Sequence, residues 1–318
     1  MLIVLFVFLA LSALAALVFK FVKADGDFTL LSKGPAKRQA VEGKVVWITG
    51  ASRGIGEILA RQFAALGAKL ILSARNKEEL ERVKNEIKSK YPAAGVEVLP
   101  LDLASGEEAL NKGVQEAESL FSDAGVDFMI HNAAFERPKK LALEETEDGT
   151  EAMFRVNVLG TIALTRLLAP YMLDRGKGHF VVMSSAAGKT PAPGQAIYSA
   201  TKYALNGYFH TLRSELCQKG IGVTVICPGP IRTENSAGSE KRVPSERCAE
   251  LTIIAATHGV KEAWISYQPV LLVMYLVQYM PTVGFWLMDK VGANRINAAA
   301  KKGNTYSFSL LFGNKKSA

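Results

Sequence analysis

From Lys44 onward, short apolar runs alternate with longer stretches in which apolar residues recur at helical spacing. The apolar runs are mostly aliphatic or β-branched and are bounded by glycine or charged residues, as is typical of strands buried on both faces. The predicted strands are 45–49, 70–73, 96–101, 128–131, 180–184 and 223–227, and the predicted helices between them include 54–66, 77–90 and 107–121. This alternation predicts parallel βαβ units, and therefore one α/β domain with a Rossmann-type, doubly wound parallel sheet.

The first 19 residues are apolar apart from Ser12. As a helix they would span roughly 30 Å, the thickness of a bilayer core, which predicts an N-terminal membrane anchor over residues 1–23. A cleaved signal peptide is the alternative, because Ala13 and Ala15 resemble a cleavage site; the length of the run and the lack of a preceding basic residue argue against it. Lys20 and Lys23 follow the run and favour a cytosolic domain, but so few charges leave the face open.

A second apolar segment, residues 270–288, lies near the other end and is interrupted by Pro281 and Gly284. Three interpretations stay open for it: a contact that dips into one leaflet, a hydrophobic lid or dimer surface, and a full second span. Gln278 and Pro281 near its middle argue against the span. The boundaries predicted from these patterns are an anchor over 1–23, a linker with little regular structure over 24–43, a domain over 44–268, and an apolar extension with a polar tail over 269–318.

The formal net charge is +8, from 38 Lys and Arg against 30 Asp and Glu, and much of the excess lies near the leader and in the tail. Basic residues beside a membrane segment favour lipid headgroups. No basic run is interleaved with aromatic residues, which argues against nucleic-acid binding. Cys217, Cys227 and Cys248 have no metal-ligand spacing and are interpreted as buried or free thiols, so no metal is expected.

The first predicted strand runs directly into a glycine-rich turn in which Gly50, Gly54 and Gly56 are spaced G-x-x-x-G-x-G. Glycine allows positive φ and a close approach of the backbone to a ligand, and the helix that follows directs its N-terminal amides at a phosphate. The strand–turn–helix context therefore predicts a dinucleotide-binding site; a glycine turn without a ligand is the alternative. The predicted cofactor-binding residues of this turn are Gly50, Ser52, Arg53, Gly54, Ile55 and Gly56.

The second predicted strand ends near the position that holds the adenosine ribose in dinucleotide-binding folds. No acidic residue is present there to accept a hydrogen bond from a ribose 2′-hydroxyl; the chain has Arg75 instead, with Arg53 in the glycine turn. Two guanidinium groups can bind a 2′-phosphate through charge-assisted hydrogen bonds, which predicts NADP(H) as the cofactor. A solvated surface arginine at the strand end is the alternative.

Tyr198 and Lys202 are four residues apart and share one face if the segment is helical. A phenol with a pKa near 10 is a poor base at neutral pH, but an ammonium about 4 Å away interacts with the phenolate by roughly 4 kcal/mol and lowers that pKa. Tyr198 is therefore a candidate general acid or base. Ser184 and Ser185 end the preceding strand, where a hydroxyl can hydrogen-bond a substrate oxygen. Asn157 lies in a helical stretch, where it could hold a water for Lys202 or could be a structural amide.

In order and spacing, these motifs resemble those of the short-chain dehydrogenase/reductase superfamily over residues 44–266. The matching residues are the glycine turn from Gly50 to Gly56, Asn132-Ala133-Ala134, Asn157, Ser185, Tyr198, Lys202 and Pro228-Gly229. The resemblance implies an oxidoreductase that transfers a hydride between NADP(H) and a carbonyl or alcohol carbon. It implies Tyr198 as general acid/base, with Lys202 lowering its pKa and binding the nicotinamide ribose. It also implies that Ser185 orients the substrate oxygen and that Asn157 completes a proton relay.

The same resemblance implies further cofactor contacts. Asp102 would contact the adenine, Asn132 would line the cofactor cleft, Pro228 and Gly229 would also contact the cofactor, and Thr233 would bind the nicotinamide carboxamide. Two positions depart from the family pattern: Ala134 replaces the usual glycine and His131 replaces a common asparagine. These departures put the local backbone of that strand end in question.

Stretches outside the catalytic motifs, such as residues 24–27, 79–84 and 264–269, are similar to the membrane-bound member-seven group of the superfamily. That resemblance implies an endoplasmic reticulum membrane protein that reduces lipophilic carbonyls of the steroid, retinoid or lipid-ketone kind. A 3-ketosphingoid base reductase and a catalytically idle, nucleotide-binding membrane scaffold are the alternatives. The expected partners are a lipophilic small molecule and membrane lipid, with no nucleic acid, and a homodimer is left open.

Overall fold

The computed structural model describes residues 2–232, 241–300 and 310. Its centre is a seven-stranded parallel sheet in the order β3-β2-β1-β4-β5-β6-β9, and β7 and β8 form a separate two-stranded pair. The strands are β1 Val45–Thr49, β2 Lys69–Ser73, β3 Val96–Val98, β4 Phe128–His131, β5 Gly178–Met183, β6 Ile221–Pro228, β7 Ile231–Arg232, β8 Val243–Pro244 and β9 Glu262–Ile265. The order reverses direction between β1 and β4, which is where doubly wound sheets place their ligands. The predicted fold class is confirmed.

Helices cover both faces of the sheet, so each strand is buried on two sides. Helices α4, α5 and α10 enclose one core, and α6, α8 and α9 enclose the other. The helices are α1 Leu2–Lys23, α2 Phe28–Leu31, α3 Arg38–Val41, α4 Gly54–Ala65, α5 Lys77–Lys90, α6 Glu107–Asp123, α7 Glu147–Phe154, α8 Thr161–Asp174, α9 Ala196–Leu216, α10 Ser245–Thr257, α11 Val270–Tyr279 and α12 Pro281–Ala300. This arrangement accounts for strands such as β1, in which all five residues are buried.

The segment predicted as a linker with little regular structure contains two short helices, α2 and α3, and packs on the domain. The side chains of Leu30 and Val41 are buried in the core beside α4 and α10. The Asp27 amide donates to the Trp264 carbonyl at 2.9 Å, and the Asp27 carboxylate accepts from the amides of Leu30 and Trp264. Trp264 belongs to β9, the edge strand that the sequence pattern did not predict, so the segment pairs with an edge that would otherwise face solvent.

Helix α1 is exposed along almost its whole length, and its apolar stretch Val4–Lys23 is long and apolar enough to cross a membrane. Its last turn is joined to the domain. The Gln268 side-chain amide donates to the Phe21 carbonyl at 3.0 Å, and the Phe21 ring lies 5.6 Å from that of Tyr275 in α11. The end of α1 therefore has a defined position beside α11.

The apolar segment 270–288 forms α11 and the start of α12, which are separated at Met280, just before Pro281. The two helices pack closely, since a Cβ on Gly284 would lie 2.6 Å from the Cα of Val277. A ten-residue α11 is about 15 Å long, too short to cross a bilayer. Of the three interpretations, a lid over a pocket agrees best with this helical hairpin, because the inner faces of both helices line a cavity.

We expect Asp27→Ala to lower the free energy of unfolding by about 2–4 kcal/mol, because two buried amides, of Leu30 and Trp264, would lose their acceptor. Asp25→Ala is the matched control. Asp25 forms a partly exposed ion pair with Arg247, and its loss should cost less than about 1 kcal/mol. Urea unfolding of both variants in detergent, followed by tryptophan fluorescence, measures the difference; equal losses would contradict the assigned role of Asp27.

Candidate active site

The glycine turn lies at the carboxyl end of β1, and two of its glycines cannot carry a side chain without rearrangement. Gly50 has φ +68°, and a Cβ there would lie 2.9 Å from the Cα of Ala133. A Cβ on Gly56 would lie 2.2 Å from the Gly50 carbonyl oxygen. The turn is therefore packed tightly against the start of α4. The amides of the first turn of α4 face the cleft at the carboxyl edge of the sheet, where an anion can bind.

Asn132 and Thr49 hold the turn against the end of β4. The Asn132 side-chain amide donates to the carbonyls of Thr49 and Gly50, at 3.0 and 3.2 Å. The Thr49 hydroxyl accepts from the amides of Asn132 and Ala133, at 3.2 Å each. Asn132 is therefore adjacent to the glycine turn. Ala134, which replaces the usual glycine, is exposed, so its methyl group is accommodated.

The predicted cofactor residues Arg53 and Arg75 are exposed, at the carboxyl ends of β1 and β2. Among the described residues, neither guanidinium belongs to an ion pair, whereas nearby Arg82 bonds the Ser52 carbonyl and pairs with Glu57. Asp102 is exposed beyond β3, and its carboxylate accepts from the amide of Ala104 at 3.0 Å. Arg53, Arg75 and Asp102 thus follow three neighbouring strands at one edge of the sheet. Ile55 is half-buried in the first turn of α4.

Tyr198 and Lys202 lie on α9, and their side chains meet as their spacing predicts. The Lys202 Nζ is 5.4 Å from the centroid of the Tyr198 ring and donates to the Met183 carbonyl, at the end of β5, over 2.8 Å. The lysine side chain is buried, and this burial lowers the pKa of Lys202 to about 8, although the Glu136 carboxylate acts in the opposite direction. A buried ammonium beside a phenol favours the phenolate electrostatically.

The two serines after β5 point in different directions. Ser184 is buried, and its hydroxyl lies 3.4 Å from the Lys202 carbonyl in α9. Ser185 lines the same cavity as Tyr198, and its hydroxyl accepts from the Ala187 amide at 3.1 Å. Gly229, after the end of β6 at Pro228, also lines this cavity, and a Cβ there would lie 2.2 Å from the Ser266 hydroxyl. Ser185 is therefore the serine that faces the cavity.

Asn157 is buried within a single π-helical turn, Arg155–Gly160, between α7 and α8. Its side chain accepts from the Phe135 amide at 2.7 Å and donates to the Phe135 carbonyl at 2.8 Å. The same amide lies 3.3 Å from the hydroxyl of Thr201 on α9. Asn157 thus joins the loop after β4 to the helix that carries Tyr198 and Lys202, and a π-turn at such a position is a common feature of functional sites.

Tyr198 and Ser185 line a cavity of about 230 Å³ between the sheet edge and the α11–α12 hairpin. Its walls are mainly apolar, with a small number of polar groups, as is typical of small-molecule sites. Its lining also includes Glu136, Thr190, Gln195, Val270, Val273, Leu287, Met288, Val291 and Arg295. Thr233 lies outside the described residues.

Sequence reasoning missed four polar lining residues: Glu136, Thr190, Gln195 and Arg295. Nothing in the sequence marked these four residues as part of the site. His131, noted as a departure from the family pattern, is buried, and its Nε2 lies 2.8 Å from the hydroxyl of Thr165. Burial lowers the pKa of His131 to about 3, so the ring is neutral at physiological pH. His131 therefore has a structural place inside the sheet, away from the cavity.

The fold and this site together define a dinucleotide-binding α/β oxidoreductase. Residues 44–243 match the sequence model of the short chain dehydrogenase family. The chain is 38% identical over 315 residues to human "Dehydrogenase/reductase SDR family member 7", covering 92% of this chain and 91% of the relative. It is 34% identical over 281 residues to a Drosophila melanogaster "family protein 7-like" relative, covering 83% and 85%. The chain belongs to the short-chain dehydrogenase family.

Solved structures of other short-chain oxidoreductases share the fold over about 70% of this chain. A metagenomic short-chain oxidoreductase in complex with NADP has 28% identity and a TM-score of 0.60, covering 69% of this chain and 92% of its own. L-Sorbose reductase from Gluconobacter frateurii, complexed with NADPH and L-sorbose, has 26% identity and a TM-score of 0.63, covering 70% and 94%. The predicted family membership is confirmed.

Because Lys202 has a folded-state pKa of about 8 against an ordinary 10.5, the unfolded chain binds more protons between these values. The cost of burying the Lys202 ammonium is therefore absent above pH 10.5. It lowers the stability progressively as the pH falls from 10.5 to 8. We expect wild-type stability, relative to Lys202→Met, to rise by about 3 kcal/mol from pH 8 to 10.5.

Urea unfolding of both proteins in detergent at the two ends of this range measures the change. Repeating the pair in a Tyr198→Phe background removes the titration of the neighbouring phenol from the comparison. A stability difference that stays constant with pH would contradict a desolvated Lys202 ammonium.

Proposed function

We propose that this protein is an NADP(H)-dependent oxidoreductase that interconverts a carbonyl and an alcohol on a lipophilic substrate. The observation that carries the proposal is that Tyr198 and Ser185 line one mainly apolar cavity, with the Nζ of the buried Lys202 5.4 Å from the centre of the Tyr198 ring. A hydroxyl pair at the end of a lipophilic cavity suits a substrate with one reactive oxygen on an apolar body.

The cofactor would lie across the carboxyl edge of the sheet. Its pyrophosphate fits the turn between Gly50 and Gly56, where no Cβ obstructs the backbone amides. Arg53 and Arg75, exposed and outside the ion pairs of the described residues, would bind the 2′-phosphate, which favours NADP(H) over NAD(H). The other proposed contacts are Ser52, Gly54, Ile55, Asp102, Asn132, Tyr198, Lys202, Pro228, Gly229 and Thr233.

When bound, NADPH supplies the hydride that reaches the substrate carbonyl carbon. Tyr198 donates its phenolic proton to the substrate oxygen, so that the products are the alcohol and NADP⁺, and the reverse direction returns that proton to the phenolate. Ser185 donates a hydrogen bond to the same oxygen as negative charge develops on it. Lys202 favours the phenolate and would bond the nicotinamide ribose. Asn157 positions α9 and would order a water that reprotonates the site.

The apolar cavity and the exposed α1 support a lipophilic substrate that reaches the site from a membrane. The cavity wall is formed by residues of α11, and the end of α1 contacts Tyr275 on that helix. A substrate dissolved in the bilayer would therefore need to travel only a short path to the cavity. The proposal places the anchor in the endoplasmic reticulum membrane, as the resemblance to the member-seven group implies.

We expect Tyr198→Phe to lower the turnover of a lipophilic ketone by about 10²–10⁴-fold, because the variant has no proton to donate. NADPH binding, followed by fluorescence titration, should weaken far less than turnover, because Tyr198 is only one of many proposed cofactor contacts. Tyr203→Phe is the matched control, since Tyr203 lies on the same helix with an exposed side chain and is expected to retain full activity. A loss of less than 10-fold for Tyr198→Phe would contradict the acid/base role.

A further inference from the structure

The cavity has a buried cation at the end of its apolar wall. Leu287, Met288, Val291 and Arg295 of α12 all line the cavity. Their spacing places them on one face of the helix, so Arg295 continues the apolar stripe one turn beyond Val291. From Leu287 to Arg295 this wall is roughly 12 Å long at 1.5 Å per residue.

Arg295 is only 7% exposed, and arginine is rarely buried to this extent unless it is paired. Its Nη2 donates to the Gln195 side-chain oxygen at 3.3 Å. The Gln195 amide nitrogen in turn donates to Glu136 at 2.5 Å, and this second bond fixes which end of the amide faces the arginine. The guanidinium is therefore hydrogen-bonded to the residue that precedes α9.

The two charged groups of this network differ in their contact with water. Glu136 is exposed, so solvent screens its charge. Its carboxylate raises the pKa of Lys202, against the larger effect of burial. Arg295 is buried, so its positive charge is screened much less. The Arg295 guanidinium, which lines the cavity, would attract an anionic group inside it, whereas solvent screens the repulsion from Glu136.

The position of Arg295 relative to the proposed reaction centre follows from α9. Gln195, its partner, is the residue just before α9, and Tyr198 is in the first turn of that helix. Gln195 precedes Tyr198 by three residues, roughly 5 Å along a helix axis, and Arg295 and Tyr198 line the same cavity.

We infer that Arg295 is a specificity-determining residue that selects lipophilic carbonyl compounds with an anionic group, such as a carboxylate, at the end remote from the carbonyl. A planar guanidinium matches a carboxylate through two parallel N–H···O bonds, and burial strengthens that pair. The inference rests on the proposed function, because it takes Tyr198 and Ser185 as the residues that bind the carbonyl.

Three aryl ketones of similar size test this inference on the full-length chain in detergent: para-acetylbenzoate, its methyl ester and para-methylacetophenone. We expect wild type to reduce the carboxylate with kcat/KM about 10–100-fold above para-methylacetophenone, mostly through a lower KM, because charge-assisted hydrogen bonds are worth that much. Arg295→Met should remove this preference, and Arg295→Lys should restore part of it. Reduction of the two neutral ketones should be nearly unchanged.

Lys290→Met is the matched control, because it removes one positive charge from an exposed position on the same helix. It should retain the preference of wild type. Binding of para-acetylbenzoate to NADP⁺-loaded Tyr198→Phe protein, with and without Arg295→Met, supplies a readout that needs no turnover. We expect about 10-fold weaker binding with the second substitution.

The outcomes separate the two proposals. Failure of wild type to reduce any of the three ketones, while the binding difference is present, would contradict the proposed reaction and support the anion site. Equal loss of activity towards all three ketones in Arg295→Met would show that Arg295 only fastens α12 to Gln195, and would overturn the inference. Reduction of all three with equal efficiency by wild type would also overturn it.

Discussion

A buried ammonium is costly unless it is hydrogen-bonded, and in this protein that constraint falls on Lys202. The Met183 carbonyl at the end of β5 accepts from its Nζ at 2.8 Å, and the lysine lies 5.4 Å from the centre of the Tyr198 ring. The lysine can occupy this place only because α9 crosses the carboxyl end of β5. The loop after β4 is joined to that helix through Asn157, whose buried amide contacts Phe135 and Thr201. The tyrosine, its lysine and the strand ends are thus one packed unit.

The rest of the site follows from the topology of the sheet. Because all seven strands are parallel, the residues that follow β1, β4, β5 and β6 meet at one edge. The glycine turn, Asn132, Ser185 and Gly229 are distant in sequence and adjacent there. The α11–α12 hairpin then closes the far side with apolar residues and with Arg295. The chemistry therefore comes from the sheet edge, and substrate selection is assigned to the hairpin.

Much of this could be read from the sequence, because local pattern and global topology agree where strands are buried on both faces. Strands β1 and β4 have the predicted boundaries, and the pairing of Tyr198 with Lys202 follows from helical spacing alone. The edge strand β9 was not predicted, since it begins with the charged Glu262 and has an apolar run of only three residues. The helical structure of residues 24–43 was also missed, because it depends on tertiary contacts such as the one between Asp27 and Trp264.

The lining of the cavity was the least predictable part. Arg295 and Gln195 are separated by 100 residues and meet only in the folded chain. Periodicity places residues on a face of a helix but does not say what that face will contact. The apolar segment 270–288 accordingly left three interpretations open, and only the packing of α11 against the cavity favours one of them.

The central claim is that hydride moves between a nicotinamide and a carbonyl carbon beside Tyr198. The most direct test supplies full-length protein with NADPH that carries deuterium at the transferred position, together with a prochiral aryl ketone. The account predicts one enantiomer of the alcohol, with deuterium on the carbinol carbon and a solvent-derived proton on the oxygen. An unlabelled alcohol, or labelled alcohol formed in equal amounts of both enantiomers, would contradict it.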